Sequence, residues 1–255
     1  MLMDFQQLSS YKGLLIGDFC TDIFIYGSCT RLSPEAPVPV FMETRRDEMD
    51  GMAGNVYNNL NQFPVDLDFL YSGTGSTKKR FIDEKSGQHI LRVDDEKKFH
   101  PIDLTTIEGL YDYYIISDYC KGTVSNELIN KIKSYNKPTF VDSKRSDLSI
   151  FEGFIIKINK QEYDNSNLRM NENLIVTLGN EGALWNNKRF PTKKVEVRDV
   201  SGAGDTFFSC FIAYYLETKD IKKSIEFANK CALQVIQKSG TSTINLNEIK
   251  NEIYI

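Results

Sequence analysis

Disulfide chemistry has little to draw on in this chain. Its five cysteines (Cys20, Cys29, Cys120, Cys210 and Cys231) are odd in number, none sits in a CxxC pair, and no N-x-S/T sequon occurs. That leaves no basis for a disulfide framework or a structural zinc site, and predicts a reducing cytoplasm as the working environment. Histidine is scarce too: His89 and His100 are the only two, too few for a His-based zinc centre or a Ser–His hydrolase. Long apolar runs are missing. The longest, Phe207 to Leu216, is about half of the ~20 residues a membrane helix needs, so no membrane partner is expected. The first residues, MLMDFQQLSSYKG, have no apolar h-region, so no secretory signal is expected. Nor is there a positive surplus: 31 Lys+Arg face 35 Asp+Glu, an unfavourable balance for a nucleic-acid binder.

What the chain does have is length and apolar content enough for one large core, 41% of 255 residues. Continuous apolar runs at Gly13–Phe19, Leu67–Tyr71, Tyr113–Ser117, Thr139–Asp142, Phe154–Ile158 and Leu174–Leu178 read as strands covered on both faces. Helix-like segments lie between them at 54–63, 124–135, 202–217 and 221–238; in the last, Ile221, Ile225, Ala228, Cys231, Ala232 and Val235 share one stripe. Such alternation predicts an α/β fold with a mostly parallel sheet. Two regions break it. Residues 22–50 alternate weakly, and 79–94 read as a hairpin around Lys85-Ser86-Gly87, so both are assigned to a small β layer. No repeat or linker interrupts 1–255, and a single domain is expected.

Chemistry concentrates in Asp199-Val200-Ser201-Gly202-Ala203-Gly204-Asp205-Thr206-Phe207. The run KKVEVRD (193–199) reads as β-like and leads into small residues and then a strongly apolar helix. A helix start presents unpaired N–H groups where an anion is favoured, and glycines let phosphate oxygens approach the backbone. A carboxylate beside such a cradle, Asp205, can accept the proton of an attacking hydroxyl. Together they suit phosphoryl transfer to an alcohol. By itself the stretch also reads as a Gly-rich turn whose acidic residue caps its own helix. Neither a Walker A sequence nor GxGxxG is present.

DVSGAGDTF resembles the second signature of the ribokinase-like (PfkB-type) carbohydrate kinases. Arg31 to Val40, RLSPEAPVPV, is similar to a stretch of one branch, the D-glycero-D-manno-heptose 7-phosphate kinases. The resemblance recurs in order through Gly17-Asp18 and Asp22, GMAGNVYNNL (51–60), QHILRVDDE (88–96), SDYCKG (117–122), VDSK (141–144), NKQE (159–162), VTLGNEG (176–182) and KSGTST (238–243). It implies a ribokinase-like fold: a mostly parallel sheet flanked by helices, with a β lid near 22–50 and 79–94. It implies ATP and Mg²⁺ as cofactors, a small-molecule sugar phosphate as substrate, and a homodimer through the lid.

By the same resemblance Asp205 is the base, while Gly202, Ala203 and Gly204 form the anion hole. Asn159 and Glu162 match an NxxE motif, with Glu162 toward Mg²⁺ and its waters. Asp18, Asp22 and Asn55 fall where relatives hold sugar hydroxyls. Substrate phosphate would draw on Arg31, Lys79, Arg80, Arg92 and Lys144, with Arg31 and Arg92 the preferred pair. Thr177, Gly179, Asn229 and Gly240 border the nucleotide. Whether a monovalent cation sits beside Asp199 stays open.

Two departures stand out. Gly51-Met52 replaces paired glycines, adding bulk at the sugar pocket. FLYSGTGSTKKRF (69–81) runs straight through where relatives carry a further βα unit. The expected activity is ATP-dependent phosphorylation of the anomeric hydroxyl of a heptose 7-phosphate, for nucleotide-activated heptose and surface polysaccharide. A PfkB-type kinase of another sugar or sugar phosphate, or a catalytically silent sugar-phosphate-binding homologue, are the alternatives.

Overall fold

The computed structural model describes residues 5–107, 109–237, 243–246 and 248. Its organising element is one long strand, β1 (Lys12–Leu32), which serves two layers in succession. The first half, Lys12–Asp18, is hydrogen-bonded in parallel to β3 (Asp66–Ser72) on one side. On the other side Gly13–Gly17 pair in parallel with β6 (Tyr113–Asp118). From β6 the main sheet continues in parallel through β7 (Thr139–Ser143), β8 (Ile155–Asn159) and β9 (Leu174–Thr177). It closes antiparallel with β10 (Ala183–Trp185) and β11 (Lys188–Phe190). Every residue of β6 is buried, as strands sandwiched between helical layers require.

Helices cover both faces of this sheet. On one face α1 (Ala53–Leu60), α4 (Ala203–Thr218) and α5 (Ile221–Ile236) bury Val56, Leu60, Phe208, Phe211, Ile225 and Cys231 in a common core. On the other, α2 (Asn126–Ser134) and the turn around Phe151 pack Leu128, Ile132 and Phe151 against Ile116, Val141 and Ile158. Local signals set the helix starts: the Ser125 hydroxyl accepts from the Leu128 N–H, and Asp220 accepts from the Lys223 N–H.

Past Asp18 the outer half of β1 leaves the helical layers. Phe19–Leu32 pair antiparallel with β2 (Pro39–Met52), and Thr21–Gly27 pair in parallel with β4 (Thr77–Asp83). The latter turns at 84–88 into β5 (His89–Asp95). Residues 22–50 and 79–94 thus build a second β layer continuous with the main sheet through a single strand. The strand expected at Gly13–Phe19 is therefore only the first part of a much longer one.

One further difference from expectation is informative. KKVEVRD forms no strand: the sheet ends at β11, the N–H groups of Arg198 and Asp199 bond to the Ile236 carbonyl, and Val197 and Val200 stay exposed. The loss around 69–81 is physical, since β3 passes into β4 through residues 73–76 alone. β1 and β6 approach so closely at Gly17 that a Cβ there would lie 2.4 Å from the Ser117 carbonyl oxygen and 2.6 Å from Ala53 Cβ. Gly17→Ala should therefore destabilise the fold by about 1–3 kcal/mol, read as a lowered urea midpoint with an unchanged slope.

Candidate active site

The parallel strands end side by side, and a cavity of about 160 Å³ opens outside their carboxyl ends, where open α/β sheets bind ligands. Asp142 from β7, Lys157 and Asn159 from β8, Tyr119 just after β6, and Gly202, Gly204 and Asp205 at the head of α4 converge on it.

Gly202 starts α4 in a left-handed conformation, φ 79°, which glycine adopts without strain. The Ala203 N–H is taken by the Val200 carbonyl, a correction to its place in the anion cradle. No backbone acceptor among the described residues takes the N–H of Gly204 or Asp205, so these two point the positive helix end at the cavity. A Cβ on Gly204 would stand 3.2 Å from the Lys157 ammonium nitrogen, which places that cation directly beside the cradle.

Asp205 is buried, with Oδ2 accepting from Asn55 Nδ2 at 2.8 Å and Oδ1 from the Tyr119 hydroxyl at 3.0 Å. Burial raises its pKa to about 6; the Asn55 hydrogen bond opposes this, Asp142 adds to it, and Lys157 and Tyr119 oppose it. The carboxyl thus titrates near neutrality, the range that suits a general base. Asn55 is fixed in turn by Asn59, whose Nδ2 donates to its Oδ1 at 3.0 Å.

Lys157 is not among the residues that the motifs point to. A lysine inside the apolar run FIIKI was nonetheless a signal, because fully buried lysines are rare unless paired. Its partner is Asp142, Nζ to Oδ2 at 2.6 Å. Desolvation pulls against the charged form, but Asp142 and then Asp205 hold the ammonium protonated, with its pKa raised. Tyr119 was also missed, for nothing in sequence spacing ties it to Asp205, 86 residues away.

The remaining expected residues fall into groups. Asp22, nearly buried on β1, binds Arg80 of β4 at 2.6 Å. Arg92 of β5 stands opposite Arg80 in register and pairs with Asp94 at 2.7 Å. Lys79 points to the other face of β4, while Lys78 shares the face of Arg80 and lies 5.5 Å over the Tyr119 ring. Lys144 lies 4.2 Å over the same ring, from the cavity rim. Lys78, Arg80 and Arg92 thus share one face of the β layer with Asp22, and Lys78 and Lys144 bring this basic wall to the Tyr119 ring at the cavity. Glu162 and Asn159 line the cavity but cap each other at the start of a short helix, α3 (Lys160–Asp164). The Glu162 carboxylate accepts from the Asn159 N–H at 2.7 Å, and burial raises its pKa. Thr177 ends β9 opposite Asn159, and Gly179 opens the turn that follows.

Four expectations need correction or fall outside. Asp18 is completely buried and takes the N–H groups of Tyr119, Lys121 and Thr123, so its oxygens hold the 119–123 loop instead of a sugar. Arg31 is exposed, nine residues beyond Asp22 on β1, and is not among the residues that line the cavity. Asn229 donates to the Phe190 carbonyl at 3.0 Å and so ties α5 to β11. Gly240 lies outside the described residues. Asp199 accepts from the Ser201 N–H at 2.8 Å, shaping the turn into α4.

Doubly wound topology with free N–H groups at a helix start, a buried carboxylate and basic side chains nearby defines a phosphotransferase of ribokinase-like fold. Solved structures with that fold include phosphofructokinase-2 from Escherichia coli in complex with substrates and products, with TM-score 0.74, 15% identity, and coverage of 96% of this chain and 98% of that one. Ribokinase from Arabidopsis thaliana complexed with ribose and ATP gives TM-score 0.69 and 11% identity over 95% and 98%. The profile for pfkB family carbohydrate kinases matches residues 74–248, and the chain belongs to that family of ATP-dependent sugar kinases.

Among curated relatives, the bifunctional protein HldE of Campylobacter jejuni is 30% identical over 306 aligned positions, covering 98% of this chain and 66% of that protein. HldE of a Nitratiruptor species is also 30% identical, over 93% and 64%. The chain thus spans slightly less than two thirds of these relatives' length. An alignment of 306 positions against a chain of 255 leaves at least 51 as extra residues of the Campylobacter protein, consistent with the direct passage from β3 to β4.

Keeping Asp205 buried has a stability consequence whose sign can be tested. A carboxyl raised from 3.8 to about 6 costs the folded state about 3 kcal/mol once pH exceeds the folded value. That cost disappears below the unfolded value, where both states are protonated. Asp205→Asn should therefore stabilise the protein at pH 7.5, with the gain shrinking towards zero below about pH 4. Urea unfolding at the two pH values measures it.

Proposed function

We propose that this chain phosphorylates the anomeric hydroxyl of a heptose 7-phosphate with ATP, supplying nucleotide-activated heptose for surface polysaccharide. The observation that carries the reading is Asp205: a buried carboxylate titrating near 6, one residue after a glycine whose N–H is free and whose neighbour is the Lys157 ammonium. The free N–H groups of Gly204 and Asp205 and the Lys157 charge would take up negative charge on the transferring phosphoryl. Asp205 would take the sugar proton as the oxygen–phosphorus bond forms and the bond to the leaving ADP oxygen breaks.

The choice of a phosphorylated heptose is supported by the curated relatives named HldE and by the wall of Lys78, Arg80, Arg92 and Lys144. Guanidinium groups match a phosphate in plane and spacing. Asp22 would hold a sugar hydroxyl beside it. The nucleotide would lie toward Asn159, Thr177 and Gly179. No cluster of three or more His, Cys, Asp or Glu able to hold a metal exists among the described residues. Glu162, which lines the cavity along with Asp142 and Asp205, would reach Mg²⁺ through its waters, the phosphates supplying the rest of the shell. When bound, Mg²⁺ would neutralise phosphate charge. A cation beside Asp199 would have one carboxylate there already committed to the Ser201 N–H.

Exposed Leu32, Met42, Leu91 and Val93 lie on the outer β layer, with exposed Val38 in its 33–38 turn, and support a homodimer formed through it. No described helix is long and apolar enough to cross a membrane, and the cysteines are free, which fits the cytoplasm. A kinase for a different sugar phosphate is favoured by one observation: Met52, buried and strained at φ 55°, stands next to the Gly51 that touches Asp22.

ADP release over a panel of heptose and hexose phosphates separates these readings; heptose 7-phosphate should give the highest kcat/KM. Ligand binding without turnover on any substrate would mark a silent homologue. Asp205→Asn should cut turnover by about 10² or more with nucleotide affinity little changed. Lys157→Met should lower kcat by a similar order while leaving the sugar KM nearly unchanged, because its charge meets the phosphoryl group and not the sugar.

A further inference from the structure

Each oxygen of Asp205 accepts one side-chain hydrogen bond. Asn55 occupies Oδ2 from the floor of the site and is itself held by Asn59. Oδ1 is occupied by the Tyr119 hydroxyl, from a side chain of another kind: half-buried, on a loop, and lining the cavity. Its loop is anchored by the three N–H bonds to Asp18, and its ring lies under the ammonium groups of Lys144 and Lys78 at 4.2 and 5.5 Å. The ring is therefore held from the backbone and from the rim, with the hydroxyl aimed at the base. The phenol stays protonated, because burial and then the Asp205 charge push its pKa well up.

A carboxylate that accepts a proton from a sugar hydroxyl can accept one from water. In that reaction a water oxygen bonds to the γ-phosphorus, its proton passes to Asp205, and the bond to the bridging oxygen breaks. The electron pair leaves with ADP, and inorganic phosphate is the product. Water must reach Asp205 from the cleft, the side on which the Tyr119 hydroxyl already donates to Oδ1. We propose that Tyr119 is a positioning residue whose hydroxyl stands in for the acceptor hydroxyl at Oδ1, keeping the base from activating water until a sugar displaces it. The exchange replaces one O–H donor on the carboxylate by another, so the sugar need not leave a buried charge bare. This inference rests on Asp205 being the base.

The test is phosphate release from Mg-ATP with no sugar present. Tyr119→Phe keeps the ring and removes only the hydroxyl, and should raise that release by on the order of tenfold, the scale of one hydrogen bond to a charged group. Its acid limb should also move to higher pH, because the Tyr119 bond lowers the proton affinity of Asp205. Adding Asp205→Asn to Tyr119→Phe should return release to the wild-type level. Unchanged release in Tyr119→Phe, or a rise that persists in the double variant, overturns the proposal. Turnover of heptose 7-phosphate by Asp205→Asn alone reports on the base separately. If that variant is inactive while Tyr119→Phe shows no effect, only the role of Tyr119 falls; if it turns over normally, both readings fall.

Discussion

The site depends on holding one carboxylate out of water at the positive end of a helix. Burial alone would push Asp205 toward the neutral form, and Asp142 adds to that pressure. Lys157, Asn55, Tyr119 and the free N–H groups of the α4 start work against it. The balance leaves a group that is charged at neutral pH yet basic enough to take a proton. Each contributor comes from a different part of the chain: α1, the loop after β6, β7, β8 and α4. The doubly wound sheet brings them together because its parallel strands all end on one side.

Ionic pairing elsewhere in the cleft keeps buried charges satisfied until ligands arrive. Lys157 pairs with Asp142, Arg80 with Asp22, and Arg145 with Asp118 at 2.6 Å in each case. A buried charge without a partner is costly, so these pairs are needed for folding whatever they later do. Asp118 and Asp18 hold neighbouring groups in place around the cavity. The first fixes Arg145 and Ser143, and the second fixes the loop that carries Tyr119. Asp18 and Asp22, four residues apart on β1, have different partners because the first lies in the core sheet beside the 119–123 loop and the second in the outer β layer beside Arg80.

Strand β1 explains how a short chain keeps a complete cleft. Its inner half is core sheet and its outer half is the wall, so wall and floor share one backbone. Dropping the unit between β3 and β4 leaves β3 at the margin of the main sheet but does not disturb the strands that carry the site. The wall keeps its register through β4 and β5, with Arg80 and Arg92 directly opposite.

Much was legible in the order of residues. Runs such as Tyr113–Ser117 and Leu174–Leu178 announce strands because parallel strands need apolar faces on both sides, and the small-residue junction before Phe207 announces the start of α4. Asp205 and the base role suggested for it follow from that local pattern. Partnership does not. Lys157 against Asp142, Asn55 and Tyr119 on Asp205, and Asp18 on the 119–123 loop are contacts across 15 to 150 residues. Local spacing also misled at KKVEVRD, where alternation was present but no neighbouring strand existed to accept it, and at Arg31, whose distance from the cleft is set by how far β1 runs. Hydrophobic periodicity is a property of neighbours in sequence and was readable directly. Which charge meets which is settled only when the strands have chosen their order, because that order alone decides what faces the same cavity.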